Sequence, residues 1–233
     1  MLLAIDTTST ACSCALYDGA LVAGLEHIEE KGHAELLLPQ IEKLLTDAHL
    51  TIKQVTRIAV TTGPGSFTGV RVGIAAARGL ALALDCPLVG LTSFEALAAT
   101  VLLKADGKKF PLKTGSEFSI VFDARRDQVY MQTFVFEGAG VKPKPTTQPQ
   151  ALDISAASAL FANTPSLVLG SGAKLVGGDD DGFFTGSDFQ HILARNFCSY
   201  IDAFKVSDPT APTPLYLRAP DAKPAFSFLT KGL

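Results

Sequence analysis

The stretch Leu2-Leu3-Ala4-Ile5-Asp6-Thr7-Thr8-Ser9-Thr10-Ala11-Cys12-Ser13-Cys14-Ala15-Leu16-Tyr17-Asp18-Gly19 decides the fold. An apolar run ends in an aspartate, a hydroxyl-rich turn follows, and residues 11–17 then alternate between small or apolar and polar side chains. Asp18-Gly19 is a hairpin signal, and residues 20–27 alternate again, so the opening segment reads as a three-stranded antiparallel meander. Cys12 and Cys14 share one face of its second strand, Cys86 and Cys198 stand alone, and no CxxC occurs. That usage points to buried reduced thiols rather than a disulfide or a metal site.

Working outward, Leu37, Ile41, Leu44, Leu45 and Ala48 fall at helical spacing, which predicts an amphipathic helix over 34–48 with Pro39 in its first turns. Residues 55–61 read as a strand, Gly63-Pro64-Gly65-Ser66-Phe67-Thr68-Gly69 as a loop, 70–84 as a second helix and 88–91 as a short strand. The order is βββαβαβ. From residue 118 the pattern starts again: Phe118–Asp123 is an apolar strand ending in Asp, 124–127 a turn, and 128–136 an alternating strand. Pro143, Pro145 and Pro149 mark a loop; 155–162 and 188–204 read as helices and 166–170 as a strand.

A repeated unit with an Asp closing each first strand predicts an α/β protein of two RNase-H-like lobes with mixed sheets facing a cleft. This is the architecture of actin, the sugar kinases and the heat-shock chaperones, here with a reduced second lobe. The expected division is 1–105 and 106–233, with the last helix a candidate to pack back on the first lobe.

Composition narrows the function. Hydrophobic residues make up 47% and charged ones 18%, ample for two small cores with apolar surface left over. Lys and Arg number 20 against 23 Asp and Glu, a net charge of −3, which argues against holding RNA alone through phosphate neutralisation. The first residues lack a basic segment before the apolar run, and the stretch over 72–84 contains Arg78 and falls short of a membrane span. A cytoplasmic protein without a membrane span is expected.

Asp6 and Asp123 sit where carboxylates of this architecture approach nucleotide phosphates through magnesium. With Thr7 and Thr8 they are the candidate nucleotide-binding residues, although Asp and Thr favour such turns for structural reasons alone. Asp6 is followed by Thr-Thr-Ser-Thr rather than a glycine, so at most a weak ATP or ADP site is expected, and no tightly bound cofactor. The 63–69 loop is neither GxGxxG nor a Walker loop, and its Ser66 or Thr68 is suited to capping the next helix.

Gly69, Gly73, Ala77 and Ala81 recur every four residues and give that helix a strip without bulky side chains. One reading is close packing inside the lobe. The other is a partner surface formed by this strip with Leu37, Ile41 and Leu44. His27, His33, His49 and His191 show no ligand spacing, and Asp179-Asp180-Asp181-Gly182 does not fit a calcium loop, so no metal site is expected.

The segment Gly63-Pro64-Gly65-Ser66-Phe67-Thr68-Gly69-Val70-Arg71-Val72-Gly73, with Ile5-Asp6-Thr7-Thr8, Asp123-Ala124-Arg125 and Pro214-Leu215-Tyr216-Leu217-Arg218, closely resembles the TsaB (YeaZ) family. The resemblance implies the actin-like fold and a part in making N6-threonylcarbamoyladenosine next to the anticodon of tRNAs that read codons beginning with adenine. The family's catalytic paralogue, TsaD, carries two metal-binding histidines four residues apart. Ser93 and Leu97 stand at the matching positions here, and leucine cannot ligate a metal. The resemblance therefore implies a non-catalytic subunit rather than a glycoprotease of the M22 type. It also implies that the helices over 34–48 and 70–84 contact TsaD, or a second copy when TsaD is absent. TsaE is a further implied partner, and tRNA is reached only through the complex. The rival functions are an ATP-using enzyme of the sugar-kinase type, which needs Asp6 and Asp123 on Mg-ATP, and a metallopeptidase.

Overall fold

The computed structural model describes residues 1–29, 32–105, 112–162, 167–177, 189–206 and 211–218. The meander forms as read: β1 (Leu2–Asp6), β2 (Ala11–Tyr17) and β3 (Leu21–Ile28) pair antiparallel in sequence. Helix α1 (His33–Asp47) and strand β4 (Arg57–Thr61) come next. Helix α2 (Phe67–Leu84) begins three residues before the expected start, because Ser66 caps it by accepting a hydrogen bond from the Gly69 N–H at 3.3 Å. Strand β5 (Leu88–Leu91) completes a five-stranded sheet of order β3-β2-β1-β4-β5, in which β1, β4 and β5 run parallel. This is the RNase-H-like arrangement.

Helix α3 (Ser93–Ala105) follows β5 where no helix is expected from the sequence. Its Phe94 and Ala96–Ala99 are all buried, so no polar face marks a helical period. The second sheet contains β6 (Glu117–Arg125), β7 (Gln128–Val135), β8 (Lys144–Pro145), β9 (Gln150–Asp153) and, after α4 (Ile154–Phe161), β10 (Leu167–Leu169). β6 lies between antiparallel β7 and parallel β10, as β1 lies between β2 and β4. That equivalence puts Asp6 and Asp123 at matching strand ends. β8 and β9 both pair with β7 where the prolines suggested only a loop. α5 (Ala173–Gly177), also not expected, follows β10. α6 spans Ala194–Ala203, and the acidic run 179–182 lies outside the described residues.

Strand alternation sorts the side chains into three layers of core. Leu3, Ile5 and Val60 face α1 and α2. Leu2, Ala4 and Ala59 point the other way, into a core that also takes Phe94 and Leu97 of α3, Phe197 and Ile201 of α6, and Phe118, Ile120 and Phe122 of β6. Val121 and Val129 lie on the outer face of the second sheet with Ala157 of α4 and Val176 of α5. Helix α6 thus lies on the first sheet, chiefly on β2. Ser13 fixes it there, accepting from the Ala194 N–H at 2.9 Å and donating to the Ile192 carbonyl at 3.3 Å.

Among the described residues α2 is the one helix long and apolar enough to cross a membrane. Its inner strip is nevertheless a packing surface. A Cβ on Gly69 would stand 1.9 Å from the Thr7 carbonyl oxygen, and one on Gly73 would stand 2.5 Å from Thr7 Oγ1. The strip exists because the helix crosses the end of β1 at backbone contact. This corrects the surface reading of the predicted contact residues. Leu37, Ile41, Leu44, Gly69, Gly73, Ala77 and Ala81 are all buried inside the first lobe. The exposed residues of α2 are Phe67, Thr68, Arg71, Ala75, Arg78, Gly79, Leu82 and Ala83, with Leu82 85% exposed, while Val72 and Ala76 are half-buried against the core.

Candidate functional site between the lobes

The ends of β1 and β6 open on a cleft of about 810 Å³. Its walls include Thr8–Thr10, Ser66–Phe67, Arg71, Asp123, Arg125 and Tyr216–Arg218. Asp6 is not among them. It is wholly buried, and its carboxylate is enclosed by its own turn. Oδ1 accepts from Thr61 Oγ1 at 2.5 Å, from Thr8 Oγ1 at 2.6 Å and from the Thr8 N–H at 3.2 Å, while Oδ2 accepts from Ser9 Oγ at 3.3 Å. Burial raises the carboxyl's pKa above its ordinary value, and these hydrogen bonds oppose the rise.

The neighbouring hydroxyls are spoken for too. Thr7 Oγ1 donates to the Gly69 carbonyl at 2.6 Å, and Ser93 Oγ donates to Thr8 Oγ1 at 3.1 Å. The expected phosphate- or metal-facing role of Asp6, Thr7 and Thr8 is thus replaced by a structural one. Their polar atoms tie the β1–β2 turn to β4, α2 and α3.

The glycine-rich loop closes on the same turn. The Ser66 N–H donates to the Thr8 carbonyl at 2.8 Å, and a Cβ on Gly65 would stand 2.2 Å from that oxygen. The loop needs Gly65 and Gly69 for backbone contact with residues 8 and 7.

Asp123 behaves differently. It is partly exposed at the cleft, where Oδ1 accepts from the Arg125 N–H at 2.7 Å and Oδ2 lies 3.4 Å from Arg125 Nη1. Arg125, Arg126 and Asp127 all have positive φ, between 54° and 60°, so the β6–β7 turn is a tight left-handed one that carries its arginines outward.

A magnesium–nucleotide needs carboxylate oxygens open to the ion and its waters. Asp6 offers none to the cleft, and Asp123 is turned onto Arg125, so these residues do not fit that cofactor. Ser93 and Leu97, at the positions of the paralogue's histidines, are buried, with Leu97 in the core between the sheets. His33 contacts the Thr7 and Glu29 carbonyls, and His191, whose pKa burial lowers, lies 2.9 Å from Thr10 Oγ1. Burial pushes the thiols of Cys12, Cys14 and Cys198 up to about 11, 12 and 12, so they are poor nucleophiles.

One element at the cleft has no role assigned from the sequence. Residues 211–218 form a strap from one lobe to the other. The Leu215 N–H donates to the Thr62 carbonyl at 2.8 Å, and Arg78 donates to the Pro212 carbonyl at 2.6 Å. At the far end Arg218 donates to the Ala124 carbonyl at 3.2 Å and lies 3.4 Å from Gln128 Oε1. Between these anchors, Tyr216 packs on Phe67 with the rings tilted by 38° and their centroids 5.2 Å apart, and accepts from Arg71 Nε at 2.9 Å. Arg71 in turn lies 3.6 Å over the Phe67 ring. The only sequence signal for the strap was the run Pro214–Arg218, which has no periodicity to interpret.

The family model for TsaD, tRNA N6-adenosine threonylcarbamoyltransferase, matches residues 27–162. The chain is 35% identical over 136 residues to the tRNA threonylcarbamoyladenosine biosynthesis protein TsaB of Haemophilus influenzae, covering 58% of this chain and 54% of that one. It is 31% identical over 140 residues to TsaB of Escherichia coli, covering 60% and 57%. The match therefore spans little more than half the length of these relatives. An uncharacterised protein of Mycobacterium tuberculosis is 27% identical over 226 residues, covering 95% of this chain and 93% of that one. Among solved structures, YeaZ from Pseudomonas aeruginosa superposes with a TM-score of 0.72 at 25% identity, covering 92% of this chain and 99% of that one. The fold is thus the two-lobed actin-like one that the duplicated strand pattern predicts. The chain belongs to the family that the TsaD model describes and, within it, to the TsaB (YeaZ) family.

Proposed function

We propose that the chain is a non-catalytic partner subunit in the synthesis of N6-threonylcarbamoyladenosine in tRNA, working in the cytoplasm by pairing with TsaD. The observation that carries this reading is the division of labour on α2. Its inner strip is consumed by the lobe, while the C-terminal half of its exposed face sets the small residues Ala75, Gly79 and Ala83 around Leu82, 85% exposed, with Arg71 and Arg78 beside them. A face of this kind accepts a second helix at short distance with little side-chain entropy lost. TsaD is its occupant in the working complex, a second copy of the chain is its occupant alone, TsaE joins the assembly, and tRNA is bound by the assembly.

The internal satisfaction of Asp6 supports the same reading, because a sugar-kinase-type mechanism has no use for a carboxylate closed off by four hydrogen bonds. Leu97, buried in the core at a metal-ligand position of the paralogue, supports it against the metallopeptidase.

The test is size-exclusion chromatography with light scattering on the chain alone and mixed with TsaD, with a tRNA modification assay on each fraction. The reading predicts a heteromer and modification only when both proteins are present. Leu82→Arg should abolish the heteromer without changing the thermal unfolding midpoint of the chain. Modification by the chain alone, or full association of Leu82→Arg, would reject it.

A further inference from the structure

We infer that the strap over 211–218 is a one-sided clasp, rooted in the first lobe and latched on the second by Arg218, which holds the walls of the cleft together. The two ends of the strap are built differently, and the difference assigns the root and the latch.

The first-lobe end is seated in the backbone of its lobe. Pro212 is buried, its carbonyl accepts from Arg78 at 2.6 Å, and the Leu215 N–H donates to the Thr62 carbonyl at 2.8 Å. The lobe leaves room for both residues. A Cβ on Gly90 of β5 would stand 2.9 Å from Pro212 Cβ, and one on Gly63 would stand 3.1 Å from the Leu215 carbonyl oxygen. With its atoms in the side-chain space of both glycines, this end of the strap is part of the first lobe's packing.

The second-lobe end is held through a side chain. Arg218, half-buried, reaches the Ala124 carbonyl at 3.2 Å and Gln128 Oε1 at 3.4 Å, on either side of the β6–β7 turn. A long cationic side chain on neutral acceptors regains hydrogen bonds from water and rotamer freedom when it lets go, so this is the end that releases. Between the two ends, Leu217 is half-buried against the core that the lobes share, and Phe122 and Ile192 of that core line the cleft. The shared core is the pivot: Phe94 of the first lobe and Phe122 of the second meet there with ring centroids 5.3 Å apart. Release of Arg218 lets the cleft walls part while this core keeps the lobes joined. Arg71 and Arg78 of α2 both hold the strap, so the clasp also ties the helix that meets TsaD to the second lobe. That consequence rests on the pairing proposed above, whereas the clasp itself does not.

The test is pulsed electron–electron distance measurement on the full chain, spin-labelled at Thr68→Cys of α2 and Ser155→Cys of α4, both exposed positions. A Cys86→Ser background leaves only the buried thiols of Cys12, Cys14 and Cys198. The chain with its natural strap should give one narrow distance. Arg218→Ala, and Arg218→Met, which keeps an apolar stem without the donors, should broaden the distribution and lengthen its mean by more than about 3 Å. Arg78→Ala should leave it narrow, because Pro212 and Leu215 keep the root seated. Circular dichroism and thermal unfolding verify that each variant is folded. A broad distribution with the natural strap, an unchanged one in either folded Arg218 variant, or Arg78→Ala opening as far as Arg218→Ala would overturn the inference. The chain is measured alone, so failure here is distinct from failure of the pairing with TsaD, which the chromatography reads.

Discussion

Asp6 and Asp123 close equivalent strands of two related sheets, yet they have opposite fates. Asp6 is buried and accepts four hydrogen bonds from its own turn and from β4. Asp123 is partly exposed and makes a local turn bond and an ion pair with Arg125. Position in a repeated topology therefore does not determine chemistry; the residues that follow the strand do. Thr7-Thr8-Ser9 supply hydroxyls that bond inward, whereas Ala124-Arg125-Arg126 supply no small hydroxyl, and Arg125 pairs with Asp123 at the surface. The first carboxylate has become a structural tie, and the second remains part of a charged cleft wall.

The comparison is broken most severely through the glycines that let α2 reach the first turn. Gly69→Ala places a Cβ 1.9 Å from the Thr7 carbonyl, and α2 or the turn must move. A loss of at least about 4 kcal/mol in urea unfolding is expected. Gly73→Leu meets Thr7 Oγ1 and Val60 and should also unfold the lobe before it reveals anything about a partner.

Asp6→Ala comes next. It strands three hydroxyls and an N–H without their acceptor in a buried turn, and should cost about 3 kcal/mol. Asp123→Ala breaks only an exposed pair and a turn bond, and should cost less than about 1 kcal/mol by the same measurement. Equal losses at the two positions would contradict the division drawn here.

Acid titration sharpens the contrast. Because burial raises the Asp6 carboxyl above 3.8, the folded chain holds this proton more tightly than the unfolded chain does. Its contribution is largest near and below pH 3.8 and is lost as the pH rises toward the raised folded value. Asp6→Asn cannot titrate, so its stability profile should lack that decline. The difference between the two profiles, measured by urea unfolding from pH 4 to 7, isolates the residue; parallel profiles would show that Asp6 keeps its ordinary affinity for protons.

Much of the first lobe was legible because its strands alternate and its helix α1 is amphipathic, so that periodicity reports burial directly. Helix α3 was illegible for the opposite reason: Phe94 and Ala96–Ala99 are all buried, and a helix without a polar face has no period. The start of α2 depended on which of two hydroxyls capped it, and Ser66 did. At the site, the sequence placed Asp6 and Asp123 at matching positions but could not tell that Thr61, 55 residues away, would take one of the Asp6 oxygens. The small-residue strip on α2 was legible as a close-packing surface, whereas its direction depended on where β1 ends. The strap over 211–218 was beyond reading, because its role consists of contacts with residues 62, 71, 78 and 124.

The most direct test of the central claim, that the partner meets the outer face of α2, is hydroxyl-radical footprinting of the chain with and without TsaD, read at Leu82. Leu160, 53% exposed on the second lobe, serves as the internal control. With the chain dilute enough to be monomeric, the account predicts strong labelling of Leu82 that falls several-fold on adding TsaD, while Leu160 labelling is unchanged. Leu82 labelled equally in the presence of saturating TsaD would contradict it.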